Sequence, residues 1–146
     1  MAGHGGSETL NLHASCVALD EGAGLLILGP SGAGKSTLAL SLMGYGARLV
    51  ADDRTDLRRQ GGALIASAPD SIAGMIEARG LGLLSAEALS HCRISAVVDL
   101  SQTEEERLPP VREKALIGVA IPLIFRVNGP QFAPALIQWL KGGRCA

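Results

Sequence analysis

The chain has 146 residues, 47% of them hydrophobic and 3% aromatic, with a formal net charge of -1. This is apolar material enough for one core, and no basic stripe or aromatic platform is present of the kind that draws a protein onto nucleic acid. No apolar run approaches the roughly 18 to 20 residues of a membrane span, and no charged start with a long apolar stretch marks a signal peptide, so neither membrane nor export is expected. Cys16, Cys92 and Cys145 are odd in number and far apart, and His4, His13 and His91 stand at no ligand spacing to them. A disulfide framework and a structural zinc are therefore not expected, and a reducing cytoplasm is.

Met1 to Thr9 is small and polar and is expected to form a loose terminus ahead of a single domain over residues 10–146. Residues 10–19 read as a strand containing His13, with Asp20-Glu21-Gly22 turning into the apolar run Leu25 to Leu28. Directly after that run stands Gly29-Pro30-Ser31-Gly32-Ala33-Gly34-Lys35-Ser36, which fits the phosphate-cradling pattern Gly-x4-Gly-Lys-[Ser/Thr]. Its glycines let successive backbone N–H groups surround a polyphosphate, Lys35 adds a mobile positive charge, and Ser36 is placed to ligate Mg2+. Thr37 follows, and Leu38, Leu42 and Met43 recur at helical spacing before stop signals at Gly44 and Gly46.

Arg48 to Ala51 reads as a short strand ending in Asp52-Asp53. Gln60-Gly61-Gly62 reads as a hairpin turn, Ala63 to Ser67 as the returning strand and Pro69 as its close. The glycine-spaced stretch from Gly74 to Leu83 has no clear propensity, and Ser85 to Leu89 suggests a short helix. Ile94 to Leu100 is a strand, Ser101 to Arg112 a charged segment with Pro109-Pro110, and Ile121 to Val127 another strand. A last helix runs from about Pro134 to Lys141 and stops at Gly142-Gly143. Several neighbouring strands are too close for a helical crossover, which predicts an α/β fold with a mixed sheet around the phosphate loop.

Phosphoryl transfer needs an acid that orders magnesium and a group that orients or deprotonates the acceptor. Three acidic sites compete. Asp52-Asp53 ends an apolar strand, where two adjacent carboxylates repel unless a metal or an acceptor uses them. Glu77 is either a solvated surface residue or, among Gly74, Gly80 and Gly82, part of a close approach to ligand. Asp99 is either the metal-ordering acid of a generic phosphate-loop enzyme or a turn cap.

In combination these segments resemble the catalytic domain of the HPr kinase/phosphorylase family. The match rests on His13, the loop at 29 to 37, Arg-Leu-Val-Ala-Asp-Asp at 48 to 53 and Ile-Glu-Ala-Arg-Gly-Leu-Gly-Leu-Leu at 76 to 84. The resemblance implies a PEP carboxykinase-like fold and an ATP- and Mg2+-dependent kinase acting on a serine of HPr or a related phosphocarrier, in control of carbon or nitrogen metabolism. It implies that Lys35 binds phosphate, Ser36 and Glu77 hold the metal, and Asp53, with Asp52 beside it, takes the proton of the acceptor serine. Arg79 belongs to the same signature, Arg107 is similar to a later functional arginine of the family, and His13 to its histidine with one extra residue before the loop. For Arg107 an exposed charge, and for His13 a satisfied strand histidine, remain the competing interpretations.

Relative to the long members, which are hexamers, the chain looks like a short alphaproteobacterial form without their N-terminal domain. The long enzymes carry Pro-Val-Arg-Pro-Gly-Arg in a loop linked to dephosphorylation. Here Ile121-Pro122 is followed by Leu-Ile-Phe-Arg-Val-Asn-Gly-Pro, with Arg126 as a remnant, so the resemblance supports the kinase more than the phosphorylase. Two alternatives stay open: a small-molecule kinase on a similar loop, and a non-catalytic ATP sensor.

Overall fold

The computed structural model describes residues 8–146; the expected loose terminus lies outside the described residues except for Glu8 and Thr9, where strand is already beginning. Among the described residues the strands are β1 (Thr9–Leu12), β2 (Ala14–Ala18), β3 (Gly24–Leu28), β4 (Arg48–Ala51), β5 (Thr55–Gln60), β6 (Ala63–Ser67), β7 (Met75–Ala78), β8 (Gly82–Ser85), β9 (Cys92–Thr103), β10 (Glu113–Leu116) and β11 (Val119–Arg126). Two helices, α1 (Lys35–Gly44) and α2 (Phe132–Gly142), complete the architecture.

Nine strands form one mixed sheet in the order β1-β5-β6-β9-β3-β2-β4, with β11 beside β9 and β10 beside β11. β3 and β11 run parallel to β9, whereas β2 is antiparallel to both β3 and β4. The separate hairpin β7–β8 is antiparallel.

β2 and most of β3 are buried at every position because both faces of the sheet are covered. Side-chain alternation sends Val17, Leu25 and Ile27 toward α1 and α2, where they meet Ala39, Leu42 and Leu136. Cys16, Ala18 and Leu26 face the other way, onto Leu57 and Leu64 of the β5–β6 hairpin and Leu116 and Ile121 of β10–β11. Fixing β2, β3 and β4 between two apolar layers is what holds their chain ends, and the residues beyond them, in register.

The close packing brings Cys16 and Cys92 together with sulfurs 3.6 Å apart, both fully buried, although 76 residues separate them in sequence. Burial pushes the Cys16 thiol up, and the neighbouring Cys92 thiol adds to the shift. Gly24 makes this possible, since a Cβ there would run into the Cys92 sulfur and lie 2.8 Å from the Arg93 carbonyl.

Three expectations are corrected. The first strand is two strands, because the chain bends at His13 between β1, which pairs with β5, and β2, which pairs with β3 and β4. The expected helix at Ser85 to Leu89 is absent: Ser85 ends β8 and Ala88 makes an isolated parallel bridge to Leu49. Its Ser-Ala-Glu-Ala-Leu sequence has reasonable helix propensity, yet Ala86 N–H donates to Gly74 O, Leu89 N–H to Leu49 O, and Glu87 O accepts from Leu49 N–H. With those groups engaged by β4 and the start of β7, no intrahelical ladder can form. The charged segment expected from Ser101 to Arg112 gives its first three residues to strand, because β9 continues to Thr103, while its far end stands where expected, at the start of β10.

Candidate active site

The phosphate loop leaves the buried end of β3 and enters α1 directly. Gly34 caps the helix at φ +99, a left-handed conformation that side chains disfavour, and no side-chain cap competes for the first helical N–H groups. Those groups and the positive end of the helix are left to an anion. Lys35 is 93% buried, and its ammonium donates to the loop carbonyls of Gly29 at 2.8 Å and Pro30 at 3.2 Å, which fold it back beneath the loop.

Asp52 and Asp53 follow β4, and the backbone separates their roles. Asp53 sits at φ +69, which turns it away from its neighbour. Asp52 is buried, and its Oδ1 accepts from the Ser36 hydroxyl at 2.6 Å and the Ser15 hydroxyl at 2.8 Å, while Oδ2 accepts the Glu77 N–H at 3.2 Å. One carboxylate thus ties the first turn of α1, β2 and β7 together. Ser15 also accepts the Asp53 N–H at 3.4 Å.

The Asp53 carboxylate is 69% exposed, and its Oδ1 accepts from His13 Nε2 at 2.7 Å. The bend between β1 and β2 is what frees His13 to reach it. Both line a cavity of about 290 Å3 together with Ser31, Gly32, Gly34, Lys35, Ser36 and Thr37 of the loop region. Glu77 and Arg79 enter the same cavity from the β7–β8 hairpin, which turns at Arg79-Gly80-Leu81.

All the lining residues of this cavity were expected at the site from the sequence. Asp52 lies beneath it. Arg107 does not join them: it is exposed and lines a separate, more apolar groove of about 480 Å3 with Pro109, Phe125 and Trp139. Asp99 pairs in register with Leu28, immediately before the loop, yet its Oδ1 accepts from the Ser101 N–H at 2.9 Å and the Ser101 hydroxyl at 2.6 Å. These are local contacts within β9, with no turn or helix for Asp99 to cap, and they engage its carboxylate two residues along its own strand.

No cluster of three or more His, Cys, Asp or Glu able to hold a metal occurs among the described residues. Magnesium does not require one, since it takes one or two protein carboxylates and completes its shell with water and phosphate oxygens. Ser36 and Glu77 are hard oxygen donors of that kind beside the phosphate loop, so the residues fit the ion.

One contact escaped sequence reasoning. Arg126, the last residue of β11, donates from Nη2 to the Ala33 carbonyl of the loop at 2.6 Å. Only the parallel placement of β11 beside β9 brings it there, and no local pattern in the sequence encodes that placement.

A family model described as the HPr serine kinase C-terminal domain matches residues 6–123. The chain belongs to that family. Among curated relatives, an HPr kinase/phosphorylase of Geobacillus sp. (strain WCH70) is 46% identical over 87 residues, covering 54% of this chain and 28% of the relative. One of Clostridium tetani is 47% identical over 79 residues, covering 54% of this chain and 25% of the relative. The match therefore spans under a third of those proteins. The solved structure of the Hpr(Ser) kinase/phosphatase from Coxiella burnetii superposes with a TM-score of 0.73 at 25% identity, covering 88% of this chain and 94% of that one. The family's fold, a mixed sheet with flanking helices around a phosphate loop, is the fold described above. No helix among the described residues is long and apolar enough to cross a membrane.

Proposed function

We propose that this chain is an ATP-dependent serine kinase of the HPr kinase type, with an HPr-like phosphocarrier as its acceptor and magnesium as its metal. The carrying observation is the convergence of a phosphate loop, the Asp53–His13 pair, Glu77 and Arg79 on one cavity. The loop's N–H groups and Lys35 bind the β- and γ-phosphates. Magnesium, when bound, supplies neutralising charge to those phosphates, and Ser36 and Glu77 are its donors from this chain. His13 engages Asp53 Oδ1 and fixes the carboxylate, leaving Oδ2 to accept the proton of the incoming serine hydroxyl as its oxygen bonds to the γ-phosphorus and the bond from that phosphorus to the β,γ-bridging oxygen breaks, with ADP as the leaving group. Arg79 faces the transferred group, where a guanidinium offsets charge on the equatorial oxygens.

Asp52 serves differently, as a structural acceptor that holds Ser36 and the backbone of Glu77 in place. Arg107 enters no step. We assign the site to residues 10–146 as one kinase domain, working in the cytoplasm in control of carbon or nitrogen metabolism. The high exposure of Asp53 favours a protein acceptor over a small molecule, because a small acceptor needs an enclosed pocket around its hydroxyl. The test is transfer of label from γ-labelled ATP to purified phosphocarrier with Mg2+. Label on a serine is expected; unlabelled carrier with protein that binds ATP would leave the sensor alternative.

A further inference from the structure

We infer that Arg126 is a positioning residue that sets the phosphate loop in its anion-binding shape. The pairing of β11 with β9 passes from Phe125–Asp99 to Arg126–Thr103, which leaves Leu100 to Gln102 of β9 without a partner on β11 beside the Arg126 side chain. The Arg126 guanidinium bridges two carbonyls: Nε donates to Leu100 O at 3.2 Å and Nη2 to Ala33 O at 2.6 Å. Leu100 belongs to β9, which pairs with β3 and is buried, so the bridge ties the loop to the core of the sheet.

The consequence follows from peptide geometry. In a planar trans peptide the carbonyl and the next N–H point in opposite directions. Holding Ala33 O on the Arg126 side therefore turns the Gly34 N–H to the opposite side, and Gly34 lines the cavity assigned to phosphate. Gly34 is the residue that most needs such an external restraint, since glycine at φ +99 has many alternative conformations and meets no other atom that a Cβ would touch. Ala33 N–H is already committed to Pro30 O at 3.0 Å, so both polar groups of Ala33 are fixed, one within the loop and one by Arg126. A lysine ammonium has three rotatable donors but no rigid planar fork, so it would hold the two carbonyls without fixing their placement relative to each other.

This role rests on the donor-site assignment above, and the experiment separates the two. Binding of Mg-ATP and of inorganic tripolyphosphate is measured by calorimetry on the full chain, as wild type, Arg126→Ala and Arg126→Lys. Both ligands are expected to bind about tenfold more weakly to Arg126→Ala, as befits loss of a charge-assisted contact, with Arg126→Lys between. Added guanidinium at millimolar concentration is expected to restore part of the affinity of Arg126→Ala, which a general loss of stability would not allow. Unchanged tripolyphosphate affinity in both variants would overturn the inference, as would weakening confined to ATP, which would make Arg126 a nucleoside contact instead. A wild type that binds neither ligand would overturn the donor site itself and this role with it. If Arg126→Ala does not fold, Arg126→Lys carries the same comparison, and affinity equal to wild type for both ligands would refute the bridge.

Discussion

Aspartates stand at two places on the strands around the phosphate loop, and they behave in opposite ways. Asp99 on β9 is in register with Leu28, the last residue before the loop, whereas Asp52-Asp53 follows β4, two strands away from β3. Proximity in the sheet would favour Asp99. The side chains decide otherwise, because Ser101 offers Asp99 an N–H and a hydroxyl two residues away, while Asp52 finds hydroxyls only on Ser15 and Ser36. A carboxylate with a local partner is withdrawn from long-range duty. One without a local partner becomes a hub.

The sharpest way to break this contrast is at Asp53. Asp53→Asn keeps the side-chain volume and the left-handed backbone that asparagine tolerates, and is expected to lower phosphotransfer by about 10²- to 10⁴-fold with ATP affinity retained, as measured by labelled transfer and calorimetry. Next comes Asp52→Ala, which strips the partner from two hydroxyls and the Glu77 N–H. It is expected to destabilise the fold by about 2–4 kcal/mol in urea unfolding, with the β7–β8 hairpin losing hydrogen-exchange protection first. Arg107→Ala, on the far groove, is expected to change the rate by less than about threefold. A hundredfold loss would mean that Arg107 reaches the site when the acceptor docks. Smallest of all is Asp99→Asn, expected to leave the rate within about twofold and to cost no more than about 1 kcal/mol of stability. An activity loss as large as that of Asp53→Asn would reverse the ranking of the two aspartate sites.

The legible parts of the molecule are those where a local signal and the tertiary environment agree. The apolar run before Gly29, the glycine-bounded helix after Lys35 and the turn at Gln60 to Gly62 all form where propensity placed them. The hairpin β7–β8 was illegible because its glycines, at positive φ in Gly74, Gly80 and Gly82, mark turns without naming the strands between them. Ser85 to Leu89 misled because β4 captures its backbone groups, a competition that no single window of sequence contains. In the candidate site, residue types and order pointed to the lining of the cavity, but not to the division of labour within Asp52-Asp53. That division depends on one backbone angle and on Ser15, a residue with no chemical signature of its own.

The left-handed backbone at Asp53 also narrows what this position can become. Asparagine and glycine accept φ +69 readily, whereas a longer or branched side chain there works against its own Cβ. Glutamate, the substitution that would keep the charge, meets that penalty and also carries its carboxylate one methylene further from the backbone, so it cannot keep the Asp53 geometry against His13 unchanged. The tolerated neighbours lack the acid and the acidic neighbour fits poorly, so with Asp53 in the role proposed above, drift at this position would lead toward chains that fold without transferring phosphate.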